Sequence, residues 1–403
     1  METMIEDFLE LLQIPCENPG ADMTHAAEYL AGVAQRLGYR VRVDHVPESE
    51  ALEHSITKAV NILADIGPKG NQALLLNAHF DTTAPGDGWT MNPYGGVMQD
   101  GVIYGRGAAV SKSDVIVYLY AVHIAKQVVH PSFPVHLMLT GDEEMGGYLG
   151  PQRLLSAEDR ESLVVAICPG STYMVMDRHG GALLWIITLT GRARHAAVSS
   201  RGGDSVEAGA DLIGDFYRYR DAQASLLRGW LTCGIARGGV AANMVSGSFQ
   251  LHIDRRIDPR ENVETVRVEL RTVLQRWGER HLDIDWDVKE VVAAEPMDGA
   301  ENHDWAEWFA AQATTVLQQP ITRGASALYT DARHFAQEHI PTVCYGAGRS
   351  NLLEVGAHGP NEHVAVKDLS NAVNVISTIV ATLWNEGPKS LARFFGSAEG
   401  DGR

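Results

Sequence analysis

Apolar positions recur at helical spacing from Ile5 to Leu12 and from Ala26 to Leu37, which predicts two amphipathic helices, and the stretch Arg40 to Val46 predicts a strand. The runs ALLLNAH and PVHLMLTGDEE read differently. Each is short and mostly apolar and ends in histidine or acids. Strands buried on both faces of a mostly parallel sheet have this pattern, with the C-terminal strand ends carrying the site. Between them VIVYLYAVHIAKQV reads as a crossover helix, so the chain up to about Gly181 is α/β in texture.

From Ala182 the pattern changes. LLWIITLTGRARHAA predicts a strand and a turn, Ser205 to Tyr219 a helix, SGSFQLHIDRRID an alternating strand, Asn262 to Arg280 a long helix, and Leu282 to Val288 a further strand. This order without chemistry-bearing strand ends predicts a compact α+β insertion. After Pro296 the α/β texture returns, with helices at Trp305 to Leu317 and Leu369 to Trp384 and a short strand at Ile340 to Gly346. The expected organisation is a first catalytic segment 1–181, an inserted lid 182–294 and a second catalytic segment 295–403. The tail KSLARFFGSAEGDGR reads as weakly ordered.

Composition narrows the function. A chain of 403 residues with 45% hydrophobic content can bury a sizeable core. Its 33 basic against 51 acidic residues give a net charge of −18, which opposes nucleic acid and anionic membrane as partners. An anionic substrate must then be met by local arginines. The four cysteines form no CxxC pair, METMIEDFLELLQ is unlike a signal peptide, and no apolar run approaches the ~20 residues of a membrane span. A cytoplasmic protein with reduced thiols is expected.

Several strand ends carry candidate chemistry. His79 and Asp81 flank Phe80 and lie on one side of an extended chain. A ligating histidine commonly passes its second N–H to a carboxylate, a role open to Asp81. Glu143 and Glu144 follow another buried strand. One of them can bind a metal while the other acts as general base, although acids here also suit a helix N-terminus. His358 in GAHGPNEHV is a third possible ligand, with Glu362 and Asp368 as capping or solvated acids nearby. His195 in GRARHAA falls in the insertion.

Taken in order, LLLNAHFDTT, YGRGAA, LTGDEEMGG, GRARHAA, GGVAANMV, DRRIDP, YTDAR and HGPNEH resemble the metallopeptidase family of carboxypeptidase G, aminoacylase, acetylornithine deacetylase and succinyl-diaminopimelate desuccinylase. LLQIPCENPG is similar to that family's opening motif, with Cys16 in a serine position. The resemblance implies a catalytic domain holding two adjacent metals, interrupted by a lid that forms a dimer interface. It implies hydrolysis of an amide by metal-bound water. By position, His79, Glu144 and His358 become metal ligands, Asp81 the partner of His79 and Glu143 the general base. His195 becomes the lid histidine that steadies the oxyanion, commonly in the neighbouring subunit's site. Asn243 and Arg256 become substrate-holding positions, and Arg333 a contact for a carboxylate.

Two positions depart from the family pattern. Val110 stands in GRGAAVSKSD where the family's aspartate bridges the metals, and Cys168 in AICPGS where it has an acidic ligand. Valine has no donor atom; cysteine is a soft donor suited to zinc, or simply a buried small side chain. Two metals about 3.5 to 4 Å apart require an anionic bridge. Asp114, one helical turn on, is expected to complement the helix dipole more readily than to ligate. One divalent ion per chain, zinc, manganese or cobalt, is therefore expected rather than two. The expected activity is hydrolysis of a C–N bond in a small carboxylate-bearing substrate by a homodimer or higher homo-oligomer. An active two-metal enzyme bridged by solvent or Asp114, release of ammonia from an activated aromatic amine such as a nitro-aminobenzoate, and a catalytically silent ligand-binding protein stand as alternatives.

Overall fold

The computed structural model describes residues 1–70, 72–157, 162–198, 202–224 and 229–394. The chain divides into two units, Met1–Arg178 with Gly299–Ala325 and Thr330–Arg403, and His179–Asp298 with Ser326–Tyr329.

The first unit is built on an eight-stranded sheet. Its centre is parallel: Val135–Thr140, Ala73–His79, Leu163–Cys168 and Thr342–Cys344 lie side by side in that order. Antiparallel strands flank this centre, with Val60–Ile66 and then Arg40–His45 on one side and Met174–His179 on the other. The expected α/β class with a mostly parallel sheet holds. All seven residues of Ala73–His79 are buried, as a largely apolar strand in a sheet covered on both faces requires. Helix Lys112–Val128 packs against this strand and against Val366–Glu386. Both helices contribute apolar side chains to a core that also takes Phe8, Leu11 and Leu12 of the first helix, Glu2–Leu12.

Boundaries differ from the sequence pattern in two places. The strand expected from Leu282 runs over Asp285–Ala294, and Leu282 is almost fully exposed. Leu282 belongs to the turn that follows helix Val263–Gly278, where an apolar residue lacks a strand partner. At the C-terminus Lys389–Ala392 is helical, and Leu391 and Phe394 are buried against the core, so this part of the tail is anchored. Residues 395–403 of that tail lie outside the described residues.

The second unit is a four-stranded antiparallel sheet in the order Leu231–Gly238, Ser248–Ile257, Gly181–Thr190, Asp285–Ala294. Helices Ser205–Ala224 and Val263–Gly278 cover one face, and Trp185, Phe216, Leu251 and Trp277 meet in a core of their own. Alternate burial along Ser248–Ile257 marks a sheet with only one covered face. Among the described residues no helix is long and apolar enough to cross a membrane.

Candidate metal centre

The C-terminal ends of two parallel neighbours, Ala73–His79 and Val135–Thr140, deliver the site, with His79 opposite Thr140 in register. Beyond these ends the chain turns into Asp81 and into the short 3-10 helix Glu143–Met145. Asp81, fully buried, ties the two turns together. Its Oδ1 lies 3.1 Å from His79 Nδ1 and accepts the Glu143 amide at 3.2 Å. Its Oδ2 accepts the Glu144 amide at 3.1 Å and Asn18 Nδ2 at 2.8 Å. Asn18 also donates to the Gly141 carbonyl at 3.1 Å. Because Asp81 occupies Nδ1, the other ring nitrogen of His79 points at Glu143, with Nε2 3.9 Å from Oε2.

The charges explain the titration. Burial disfavours the His79 imidazolium, yet Glu143, Asp81 and Glu144 together hold its pKa well above the ordinary value. Burial raises Glu143 to about 7; Glu144 and Asp81 push the same way, while His79 and Arg333 oppose them. His358 sits at φ 59° on the loop before the last long helix, with half its side chain exposed, and its Nε2 lies 3.0 Å from Glu144 Oε1. That contact raises the His358 pKa.

The donor chemistry fits a divalent cation. Glu144 Oε1 is buried without a well-oriented hydrogen bond, and it faces the His358 ring. The His79 nitrogen left over by Asp81 supplies a second imidazole donor. Two imidazoles and a carboxylate form a set that zinc accepts. Among the described residues no three such side chains have already converged on one point.

Cys168 ends its strand fully buried, in register with Cys344 of the neighbouring strand. Burial raises its thiol well above the ordinary value, with further contributions from Cys344 and Asp331. Asp114 lies in the first turn of helix Lys112–Val128, and its Oδ1 accepts the Ala347 amide at 2.7 Å. Arg333, also buried, gives one arm to the Thr330 carbonyl at 2.9 Å and another to the Gly146 carbonyl. It thereby clamps the turn that carries Glu143 and Glu144. In the second unit, His195 is exposed on Arg194–His195, which pairs with Met244–Val245, and its Nδ1 accepts the Ala197 amide at 3.1 Å. Asn243 precedes that partner strand and accepts the Ala196 amide on its carbonyl at 2.9 Å. Arg256 pairs with Asp254 at 2.9 Å and lies over the Tyr329 ring.

Residues 75–382 match the model of peptidase family M20/M25/M40. The chain belongs to that family. It is therefore a hydrolase of carbon–nitrogen bonds, in a family that depends on divalent metals and acts on small peptide or acyl substrates. Acetylornithine deacetylase of Salmonella arizonae is 25% identical over 405 residues, covering 94% of this chain and 98% of the relative. An M20 family metallo-carboxypeptidase from Sulfolobus solfataricus matches in fold with a TM-score of 0.77 at 16% identity, covering 94% of this chain and 99% of that one. Human carnosine dipeptidase 1 matches with a TM-score of 0.75 at 16% identity, covering 95% and 96%.

Sequence patterns missed three supports of this M20 centre. Asn18 fixes the rear of Asp81, and only the polar residue in the Gly/Pro-containing ENPG hinted at it. Asp142 and Asp331 are both buried, and Asp331 lies close enough to Glu143 to feel its charge. Asp142 Oδ2 accepts the Leu149 amide at 2.6 Å, and both Asp331 oxygens lack a hydrogen-bond partner. Burial raises both carboxyls, and Glu143 and Asp142 raise Asp331 further. Glu362, read as a cap or a solvated acid, is fully buried and its side chain accepts amides of the distant loop that contains Val110.

Proposed function

We propose that the protein hydrolyses the amide of a small N-acylated or peptide-like substrate bearing a carboxylate, with Glu143 as general base and one divalent ion held by His79, Glu144 and His358. The four bonds to Asp81 carry this reading, because they fix the ligand histidine, the base and the ligand glutamate in one frame. A bound ion supplies Lewis acidity that polarises the carbonyl and makes water more acidic. Glu143 takes the proton of the attacking water and passes it to the departing nitrogen. Its raised pKa suits both directions of transfer near neutrality. Val110 places no donor where the family's bridging carboxylate stands, which supports one ion over two. His195 stabilises the oxyanion and Asn243 and Arg256 hold the substrate from the lid, segment 182–294, in a homodimer formed through it. Arg333 positions the Glu143 turn as well as contributing positive charge toward a substrate carboxylate. The four cysteines are free, which accords with a cytoplasmic location.

Glu143→Ala tests the base: kcat falls by about 10² or more while the ion content is kept. Near-normal turnover in this variant removes Glu143 from the role. Products separate the second reading, to which Val110 also points. Amide hydrolysis yields an acid and an amine, whereas aminohydrolysis of an aromatic amine releases ammonia and leaves a hydroxyl.

A further inference from the structure

The loop GRGAAV has no metal-binding carboxylate at its centre, yet it is wrapped around one. Glu362 Oε1 accepts the amides of Gly107 at 3.1 Å, Ala109 at 2.9 Å and Val110 at 3.2 Å. Its Oε2 pairs with Arg106, and both partners are fully buried. The main chain joins in, since the Glu362 carbonyl accepts the Gly105 amide at 2.9 Å and His363–Ala365 pairs with Val102–Tyr104. Arg106 extends the connection to a third loop by donating to the Ala84 and Pro85 carbonyls at 3.2 and 3.0 Å. Beside Glu362, the Asn361 side chain accepts the Thr90 amide at 3.0 Å and its hydroxyl at 3.1 Å.

These contacts converge on the segment that carries His358. His358 and Asn361 both occupy the left-handed backbone region, at φ 59° and 57°, which is uncommon outside glycine although Asn and His enter it more readily than most residues. The His358 ring, half exposed, is not fixed by packing. Its place opposite Glu144 is set by the loop, which the hydrogen bond from the His363 amide to the Val355 carbonyl, 3.0 Å, closes at its base.

We propose that Glu362, with Arg106, is a positioning residue that locks the His358 loop, the Gly105–Ser111 loop and the Asp81–Pro85 turn into one frame, presenting His358 to the centre. The proposal rests on the metal-dependent hydrolase reading. It explains why a buried ion pair persists beside a loop that has no metal ligand: a carboxylate that collects three amides and a guanidinium has its lone pairs satisfied, so the charge is not stranded.

Glu362→Gln keeps an oxygen for the amides and loses the charge facing Arg106. In metal-free protein, amides of residues 105–111 should exchange faster with deuterium than in the wild type. Zinc affinity by titration should weaken tenfold or more, and kcat should fall at least tenfold with KM changed less than threefold. Unchanged zinc affinity and kcat, even with a lower Tm, overturn the proposal, because a merely structural pair shifts stability alone. If Glu362→Gln does not fold, Arg106→Lys carries the same test, keeping charge but losing the second arm to Ala84 and Pro85. The exchange and zinc measurements need no turnover. A wild type that binds zinc but cleaves no N-acyl amino acid or dipeptide thus refutes the amide-hydrolysis reading, while the latch is still judged by those two.

Discussion

Asp114→Asn separates a carboxylate that serves the metal centre from one that serves the fold. Asp114 is buried, its Oδ1 accepts the Ala347 amide, and a Cβ on Gly346 would stand 1.9 Å from that oxygen, so the carboxyl is wedged against the strand end after Cys344. Burial raises its pKa from 3.8 to about 7, opposed by the Ala347 amide and by His79. A folded pKa above the unfolded one contributes stability that is fully present below about 3.8 and is lost as pH rises toward 7. At roughly 1.4 kcal/mol per decade of proton affinity, the loss at neutral pH is on the order of 4 kcal/mol. Between pH 5 and pH 8 it grows by about 2–3 kcal/mol. Asparagine keeps the oxygen for Ala347 and does not ionise, although its NH2 costs about 1–3 kcal/mol if unpaired. Urea unfolding of the metal-free proteins at pH 5, 6, 7 and 8 should show the variant gaining on the wild type by that pH-dependent amount. Zinc affinity should be unchanged. A stability difference independent of pH, or loss of zinc binding, would refute the reasoning and return Asp114 to the metal centre.

Two further outcomes follow from the same electrostatics. His79 and His358 both hold protons above the ordinary imidazole range in the protein alone, so a cation must displace them. Metal affinity should therefore strengthen as pH rises from 6 to 8, with proton release seen as a buffer-dependent heat in calorimetry; a pH-independent affinity contradicts this ligand set. Val110→Asp should increase the ions bound per chain by one, read by elemental analysis. The Val110 amide is already held by Glu362, so the loop need not rebuild to present a carboxylate. Unchanged stoichiometry would mean that Val110 alone does not set the metal count.

Local sequence made the elements that deliver the site legible. ALLLNAH and PVHLMLT are largely apolar because their strands lie in the parallel centre of a covered sheet, and the polar residues that end them mark where the chain leaves the core. The neighbourhood of His79, Asp81, Glu143 and Glu144 follows from two such strands being adjacent and in register. Asn18 and Glu362 were hidden, since each acts on residues 63 to 256 positions away and neither carries a local periodicity. The exposed Leu282 misled for the converse reason, as an apolar residue in a turn carries the same local signal as one in a strand.

By itself, then, the chain determines the helices and strands, the acids and histidines at strand ends, and the loss of a donor at Val110. These follow from side-chain chemistry and short-range spacing. Only tertiary structure decides that Asp81 binds His79, the two Glu amides and Asn18 together, that Asp114 turns to Ala347, that Cys168 is packed beside Cys344, and that Glu362 fills the loop around Val110. Each of those is a choice of partner for a buried polar or reactive group. Burial makes the choice obligatory, and the fold alone determines which donor is within reach.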